Sequence, residues 1–292
     1  MTLTETADVT ITVVVDNYSY SLMKSSPGVE RYGVLKEPLL AEHGLAVHIR
    51  LGEAEREILL DAGKTKVSLV HNLPRLGIDP GAVDQVVISH GHSDHTGALL
   101  EFLEMAGRPI PVVVHPDAFL ERWFDRPDGT RQGPWQEDRR AWEAAGADIV
   151  TLDGPYELAP GCLATGPVPR RTAFEKVMSS ALYRKGEELT HDPINDDQSI
   201  VINVRGKGRV VVAGCAHSGI VNTVLYAQEI SGLERVWSVL GGFHLGGVEP
   251  DALESTIEGL RGFGPELIMP CHCTGLEATC RLAREMSGQF AP

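Results

Sequence analysis

Four side chains of types that commonly bind metal ions lie within six consecutive residues, and they are His90, His92, Asp94 and His95. The apolar run Val86–Ser89 precedes them and predicts a buried strand that ends beside His90. Because extended residues two apart project to the same side, His90 and His92 can bind one cation. Asp94 and His95 follow where the chain turns into a helix, and they can face a second cation. Imidazole and carboxylate together are the ligands expected for zinc, iron or manganese.

Two further apolar segments end in residue types that bind metals. Cys215 and His217 follow Val210–Ala213, and His272 follows a short strand that begins near Leu267. Each segment has the same order of strand, ligand-type residue, glycine and helix pattern. Since three strand ends of one chain carry such residues, we expect a shared metal centre that includes His217 and His272.

The cysteines near these strand ends allow two interpretations. A thiolate at Cys215 can bind or bridge metal ions, but a small buried apolar role is also normal for cysteine. Cys271 and Cys273 flank His272. On a continuing strand, their side chains would point away from a cation that His272 binds. We therefore expect Cys271 and Cys273 to be packing residues.

The hydrophobic pattern predicts the elements that must position these residues. Short β-branched runs and helix-like stretches alternate in both halves of the chain, which predicts an α/β architecture with helices outside the sheets. The predicted strands are Val9–Val15, Val47–Arg50, Ile58–Asp61, Val86–Ser89, Val112–His115, Ile200–Val204, Val210–Ala213 and Val236–Leu240. The predicted helices are Lys66–Leu76, Ala98–Met105, Gln136–Ala145, Ile220–Ile230, Asp251–Leu260 and Leu276–Met286.

Two stretches, Phe124–Pro134 and Gly166–Asp197, have the least regular pattern. The second is long for a structureless connection, and connections of this length are commonly lids or binding loops. Phe174–Leu182 is a candidate helix within it. No low-complexity tract divides the chain, so we expect a single domain over residues 1–292.

The composition argues against several classes of partner. The 292 residues carry 26 Lys and Arg against 40 Asp and Glu, a net charge of −14, and nucleic acid binding requires clustered basic charge. No segment has the ~20 apolar residues of a membrane-spanning helix, and the polar N-terminus does not resemble a secretory signal. Five cysteines do not form a disulfide framework in a chain of this length. We therefore expect a cytoplasmic protein that acts on a small molecule, and its oligomeric state stays open.

The motif around His90 resembles the signature of the metallo-β-lactamase superfamily. Asp61-Ala-Gly63 stands where that superfamily commonly has Asp-Thr-Gly, and His272 stands where it has a late metal-binding histidine. From about Val13 to Gly275 the chain is similar to one branch, the 7,8-dihydropterin-6-methyl-4-(β-D-ribofuranosyl)aminobenzene-5′-phosphate synthase-like hydrolases. The segments that carry this similarity are Asp16-Asn17, Glu42-His43-Gly44, Ser89–Gly97, Asp197-Gln198, Gly214–Asn222, Gly241–Leu245 and Cys271–Gly275.

The resemblance implies an αββα sandwich, in which two mixed β-sheets face each other with helices on the outer faces, and a dinuclear site at one edge. It implies that His90 and His92 hold the first cation, and that Asp94, His95 and His272 hold the second. The position where the superfamily commonly has a bridging Asp is Cys215 here. The usual third ligand of the first metal, a His in a Gly-His-Thr segment, has no clear counterpart. The residues nearest to that position are Asp196 and Asp197, and His217 is the candidate for one of the two vacant roles.

These residues together predict metal-assisted hydrolysis. Two divalent cations, zinc or alternatively iron or manganese, lower the pKa of a shared water, and the resulting metal-bound hydroxide attacks an ester, lactone, phosphoester or amide. Asp94 is also expected to be catalytic, because it can orient the hydroxide or pass its proton to the leaving group. Two alternatives use the same site: a pterin-related transferase or synthase, and an iron-dependent oxidoreductase.

Several other residues are candidates for contacts around the metals. His244 follows a strand and glycines, and we expect it to contact substrate or metal. Arg170 and Arg171 can attract a carboxylate or phosphate of an anionic substrate, although paired arginines are also common on solvated surfaces. By analogy with the superfamily, Asp61 and less strongly Asn17 orient metal ligands. Four aromatic residues either line a substrate pocket or pack in the core, and they are Trp123, Phe124, Trp135 and Trp142.

Overall fold

The computed structural model describes residues 2–20, 22–23, 25–26, 28–33 and 36–291. In chain order, the strands of this part of the chain are β1 Val9–Val15, β2 Ala46–Leu51, β3 Arg56–Leu60, β4 Gln85–Val87, β5 Ile110–Val114, β6 Arg122–Asp125, β7 Arg131–Trp135, β8 Ala147–Thr151, β9 Tyr156–Ala159, β10 Cys162–Ala164, β11 Ala181–Lys185, β12 Glu188–His191, β13 Ser199–Val204, β14 Gly208–Ala213, β15 Val236–Gly242 and β16 Leu267–Cys271. The α-helices are α1 Lys66–Arg75, α2 Ser93–Thr96, α3 Leu99–Ala106, α4 Arg139–Ala144, α5 Ile220–Ser231, α6 Pro250–Phe263 and α7 Leu276–Glu285.

Two six-stranded sheets carry most of these strands, and both are mixed. The first has the order β1-β2-β3-β4-β5-β8, and its strands from β3 onward run parallel to one another. The second has the order β16-β15-β14-β13-β10-β9, and β14, β15 and β16 run parallel. Because parallel strands end at the same edge, each sheet gathers the residues that follow its parallel strands.

Three apolar cores separate four layers. Between the sheets, Val47 and Ile49 of β2 pack in one cluster with Ile200 of β13 and Val212 of β14. A second cluster joins the other face of the first sheet to α1 and α3, and a third joins the second sheet to α5, α6 and α7. The central strands are buried on both faces, which explains their continuous apolar sequences. The predicted αββα sandwich is confirmed.

A third sheet of four strands, in the order β12-β11-β6-β7, is an addition that the hydrophobic pattern does not predict. It is built from the two stretches that have the least regular sequence pattern. The candidate helix Phe174–Leu182 is wrong, because this stretch is irregular until β11 begins at Ala181. The strand β7 is largely exposed and therefore lacks an apolar repeat that would reveal it.

The six helices predicted outside that stretch are all present, and their ends differ from the predictions by a few residues. The fourth helix begins at Arg139 rather than Gln136, because the Asp138 side chain accepts hydrogen bonds from the backbone N–H groups of Arg140 and Ala141. Within the described residues, no helix is both long and apolar enough to cross a membrane.

Candidate metal centre

Residues that follow parallel strands of both large sheets meet at one edge of the sandwich. Asp61 and His90 follow β3 and β4 of the first sheet, and Cys215, His244 and His272 follow β14, β15 and β16 of the second. Close side-chain contacts join the two sets across the sheets. Ligands of α/β proteins commonly bind at this carboxyl edge.

His90, His92 and His217 form one cluster, which we call the imidazole group. Their ligand atoms lie within 4.8 Å of one another, and Nε2 of His217 is 3.1 Å from Nε2 of His90. All three rings are buried, and Nε2 of His92 has no hydrogen-bond partner. Burial lowers the pKa of all three imidazoles, to about 3 for His92, so the rings are neutral near pH 7.

Asp94, His95, Cys215 and His272 form a neighbouring cluster, which we call the mixed group. Nε2 of His95 lies 3.0 Å from Sγ of Cys215, and Oδ2 of Asp94 lies 3.3 Å from Nε2 of His272. Nε2 of His272 is buried and has no hydrogen-bond partner of acceptable geometry. Burial alone would raise the pKa of Asp94, but the charge of His95 and the contact with His272 hold it well below its ordinary value.

Hydrogen bonds from behind fix the orientation of these ligand-type rings. Oδ2 of Asp61 lies 2.6 Å from Nδ1 of His95 and also accepts a hydrogen bond from the Ser89 hydroxyl. The amide oxygen of Asn17 lies 2.9 Å from Nδ1 of His272. Hydrogen bonds of this kind place a proton on Nδ1 and direct Nε2 of each ring towards the neighbouring ligand-type side chains. Asp61 and Asn17 therefore occupy the positions that their expected roles require.

Backbone strain accumulates at the same edge. Asp61, Ala216, His244 and His272 all have positive φ angles, between 46° and 61°, although none of them is a glycine. Each such residue costs of order 1–3 kcal/mol, and strained residues of this kind concentrate at functional sites. The backbone at Gly214 also packs closely against Ser89 at this edge. A Cβ at Gly214 would lie 2.2 Å from the Ser89 hydroxyl oxygen.

Asp196 and Asp197 lie behind the ligand-type residues rather than among them. Asp197 accepts hydrogen bonds from the backbone N–H groups of His217 and Ser218, at 3.0 Å and 2.8 Å. Asp196 accepts one from the Gly91 N–H and forms an ion pair with Arg122. This corrects the expectation that either aspartate binds or bridges metals, because their oxygens hold the backbone that carries His90, His92 and His217.

Cys273 is also placed differently from the prediction. Its thiol lies at the site instead of packing away from it, and its Sγ, with Cys215 Sγ and a ring nitrogen of His272, lies within a 4.8 Å group. The reason is local: β16 ends at Cys271, and a 3₁₀ turn over His272–Thr274 replaces the strand that the prediction assumed. Cys271 does pack in the core between the sheets, as predicted.

A pocket of about 290 Å³ opens onto both groups. His92, Asp94, Cys215 and His217 line it, together with His244, whose buried Nδ1 has no hydrogen-bond partner. The other lining residues are His43, Lys64, Ser93, Phe124, Gln132, Trp135, Met178 and Cys273. The third sheet therefore supplies one wall of the pocket through β6 and β7.

The aromatic residues divide between the pocket and the interior. Phe124 and Trp135 stack on each other with ring centroids 5.0 Å apart, and both line the pocket beside His92. Trp142 packs in the core below the first sheet, and Trp123 is buried. Phe124 and Trp135 therefore line the pocket, whereas Trp123 and Trp142 pack in the interior.

Arg170 and Arg171 do not line this pocket among the residues that the structure describes. Arg171 forms an ion pair with Glu229 on α5 and lies over the Tyr226 ring. Arg170 is partly buried and donates to the carbonyl oxygen of Pro193 at 2.6 Å. The expectation that they attract the substrate is thus corrected, since the basic side chain that lines the pocket is Lys64.

Lys64, His43 and Arg122 have no role predicted from the sequence. His43 lies in the segment that resembles the superfamily branch, and its Nε2 is 3.4 Å from Oδ2 of Asp94. Arg122 is buried at the start of β6, where it pairs with Asp192 and Asp196. No metal-ligand spacing marks these residues, because each becomes part of the site through a loop or through the unpredicted third sheet.

The donor set suits metal ions. Imidazole nitrogens, a carboxylate and thiols converge in five overlapping groups, and every group has its ligand atoms within 4.8 Å. Three of these residues, His92, His244 and His272, each have a buried ring nitrogen without a hydrogen bond. Such atoms are uncommon in folded proteins, and a bound cation is one of the standard reasons for them.

The fold and the clustered ligands define the class of protein. Residues 49–272 match the metallo-β-lactamase superfamily domain, and the chain belongs to that superfamily. Proteins with this fold usually bind metal ions.

Among curated proteins, the chain is similar to the 7,8-dihydropterin-6-methyl-4-(β-D-ribofuranosyl)-aminobenzene-5′-phosphate synthase of Methanocaldococcus jannaschii. The two are 30% identical over 270 residues, which cover 89% of this chain and 90% of the relative. A solved structure described as a metal-dependent hydrolase of the β-lactamase superfamily is 27% identical, with a TM-score of 0.76 over 96% of this chain and 94% of the other. A metallo-β-lactamase fold protein from Bacillus subtilis shares the fold at 13% identity, with a TM-score of 0.52 over 97% and 95% of the two chains.

Proposed function

We propose that the protein is a metal-dependent hydrolase with two divalent cations, zinc by preference. The imidazole group would hold the first cation and the mixed group the second. The observation that carries this proposal is that each group contains one buried nitrogen without a hydrogen bond, Nε2 of His92 and Nε2 of His272. A buried polar atom left without a partner costs about 1–3 kcal/mol, and a cation in each group removes that cost.

The chemistry divides between the cations and the side chains. When bound, divalent cations supply Lewis acidity, which makes water a nucleophile near neutral pH and stabilises negative charge on oxygen. Asp94 carries the ionised carboxylate that faces the pocket, so it is suited to orient a water molecule by accepting a hydrogen bond from it. His43 lies beside Asp94 with a side chain that is 62% exposed, so it can carry a proton between the site and solvent.

The walls of the pocket indicate the class of substrate. Lys64 supplies positive charge, and the stacked rings of Phe124 and Trp135 supply a flat apolar surface. A small molecule with an anionic group and a planar or apolar part matches both walls. Esters, lactones, phosphoesters and amides all fit the chemistry, and the lysine favours a phosphoester.

A second candidate is a pterin-related synthase that uses the same centre. The similarity to the Methanocaldococcus jannaschii synthase favours it, because the name of that protein describes a product with a dihydropterin and a 5′-phosphate. A planar ring and an anion are the two features that the pocket walls match. The two candidates differ in outcome, since hydrolysis consumes water and splits one substrate, whereas a synthase joins two.

The test is a comparison of native, metal-stripped and zinc-reconstituted protein on a panel of phosphomonoesters, phosphodiesters, lactones, aryl esters and amides. We expect chelation to lower hydrolysis roughly a hundredfold or more, and added zinc to restore it. Full activity of the metal-free protein would refute the proposal. If product analysis shows that a pterin and a phosphorylated partner are joined while no member of the panel is split, the synthase replaces the hydrolase.

A further inference from the structure

The two cysteines at the metal centre come from different strands and approach each other at one point. Cys215 follows β14, and Cys273 follows β16 two positions away in the same sheet. Sγ of Cys273 lies 3.6 Å from the carbonyl oxygen of Cys215. The two sulfur atoms and a ring nitrogen of His272 all lie within 4.8 Å of one another.

A locked turn brings the Cys273 thiol to this position. The residue before it, His272, has a φ of 49°, which reverses the direction of the chain after β16. The Thr274 hydroxyl donates to the carbonyl oxygen of Cys271 at 2.7 Å and accepts a hydrogen bond from the Phe243 N–H at 3.1 Å. A ring nitrogen of His272 and the Cys273 thiol therefore belong to the same ligand group, although the two residues are adjacent in sequence.

The strand between the two cysteines leaves room for the thiol. β15 ends at Gly242, and a Cβ at this glycine would lie 2.7 Å from Sγ of Cys273 and 2.4 Å from the carbonyl oxygen of Gly214. A side chain at this position would collide with the sulfur of Cys273 and with the Gly214 backbone, so the glycine permits the close approach of both.

The other three cysteines have surroundings of a different kind. Cys162 and Cys271 pack in the apolar core between the sheets, and Cys280 is exposed on α7. Cys215 and Cys273 line the pocket beside Asp94 and the imidazoles. Thiolates are soft ligands that favour zinc, whereas carboxylates and water suit magnesium and manganese.

From this juxtaposition we propose that Cys215 and Cys273 both bind the second cation as thiolates, so that the mixed group selects a thiophilic divalent metal while the imidazole group does not. Each thiol would lose its proton to solvent as its sulfur binds the metal. The inference rests on the proposed metal centre and adds a ligand to it. It also accounts for the absence of the aspartate that commonly bridges the metals, because two sulfurs supply negative charge in its place.

Cobalt is a suitable probe, since thiolate ligands give Co²⁺ an intense near-ultraviolet charge-transfer band that nitrogen and oxygen ligands lack. The metal-free protein is titrated anaerobically with Co²⁺, and the band is measured per bound cobalt. We expect Cys273→Ser and Cys215→Ser each to lower the band about twofold and the double variant to abolish it. Cys280→Ser is the matched control and should leave the band unchanged.

Two results would overturn the proposal. One is a full band in Cys273→Ser, and the other is wild-type protein that shows the visible bands of bound cobalt without any charge-transfer band. The second result would leave the metal centre and the proposed hydrolase intact. Wild-type protein that binds no cobalt at all would contradict both the thiolate ligands and the proposed metal centre.

A measurement on the unmodified chain covers the case in which a variant does not fold. Alkylation of the native protein is followed by mass spectrometry with and without bound zinc. We expect zinc to slow modification of Cys215 and Cys273 at least about tenfold, and to leave exposed Cys280 unaffected. Equal rates for Cys273 with and without zinc would contradict the proposal.

Discussion

Asp61 and His95 are joined by a 2.6 Å contact between Oδ2 and Nδ1, and both side chains are fully buried. Because a carboxylate oxygen can only accept, Nδ1 of His95 carries the proton and Nε2 faces Cys215 Sγ at 3.0 Å. Burial lowers the pKa of His95, but the charges of Asp61 and Asp94 and the hydrogen bond to Asp61 outweigh it and raise the pKa to about 9. Asp61 thereby sets both the orientation and the basicity of one ligand-type ring.

The substitution Asp61→Asn should weaken metal binding at the mixed group by about 10- to 100-fold, the usual effect of removing a hydrogen bond that orients a ligand. Competition with a chromophoric chelator measures the affinity. Asp148→Asn, on the exposed part of β8, serves as the control and should have no effect. Unchanged zinc affinity in Asp61→Asn would show that His95 needs no such support.

The lysine in the pocket wall gives a prediction about substrate charge. Lys64→Met should raise KM for phosphorylated substrates roughly tenfold with little change in kcat, the scale of one lost charged hydrogen bond. Arg171→Ala should leave KM unchanged, because its guanidinium pairs with Glu229 away from the pocket. Steady-state kinetics on one phosphoester measures KM for both variants. A raised KM in Arg171→Ala with an unchanged KM in Lys64→Met would instead assign the anion site to the arginines.

The stacked pair on the third sheet gives a prediction about substrate shape. Trp135→Leu removes the ring that stacks on Phe124 beside His92. It should raise KM for ring-bearing substrates about five- to tenfold, and acyclic substrates of equal charge should be unaffected, since a stacked aromatic pair contributes about 0.5–1.5 kcal/mol. An equal rise for both kinds of substrate would indicate a general distortion of the pocket instead.

The buried ion-pair cluster below the imidazole group gives a prediction about stability. Arg122 is almost fully buried and pairs with Asp192 and Asp196, each at 2.7 Å. Arg122→Met leaves two buried carboxylates unpaired, so it should lower the free energy of unfolding by about 3–5 kcal/mol. Urea unfolding measures this, with Arg139→Ala as the control, whose exposed pair with Glu143 should contribute at most about 1 kcal/mol.

How far the sequence predicts the fold depends on burial. Strands buried on both faces, such as β13 and β14, have long apolar runs and are predicted nearly to the residue. The strands of the third sheet are partly exposed, and β7 contains Gly133 and Pro134, so no apolar alternation marks them. The wall that this sheet gives to the pocket is therefore invisible before the structure is known.

The same limit applies to the candidate site. His90, His92 and His95 can be found because one strand and one turn place them within a few residues of one another. Cys273 depends on a turn with a left-handed residue at His272, and the sequence pattern alone does not distinguish that turn from a continuing strand. Lys64 lies in the connection after β3 and lines the pocket. This placement depends on the tertiary structure and has no local sequence pattern that predicts it.

The central claim is that two clusters of side chains hold two metal ions, and anomalous X-ray diffraction at the zinc absorption edge tests it most directly. Crystals of zinc-loaded protein should show two anomalous peaks, one among His90, His92 and His217 and one beside Cys215 and His272. In His217→Ala the first peak should weaken or vanish while the second persists. Zinc-loaded crystals with no peak at either cluster would contradict the account.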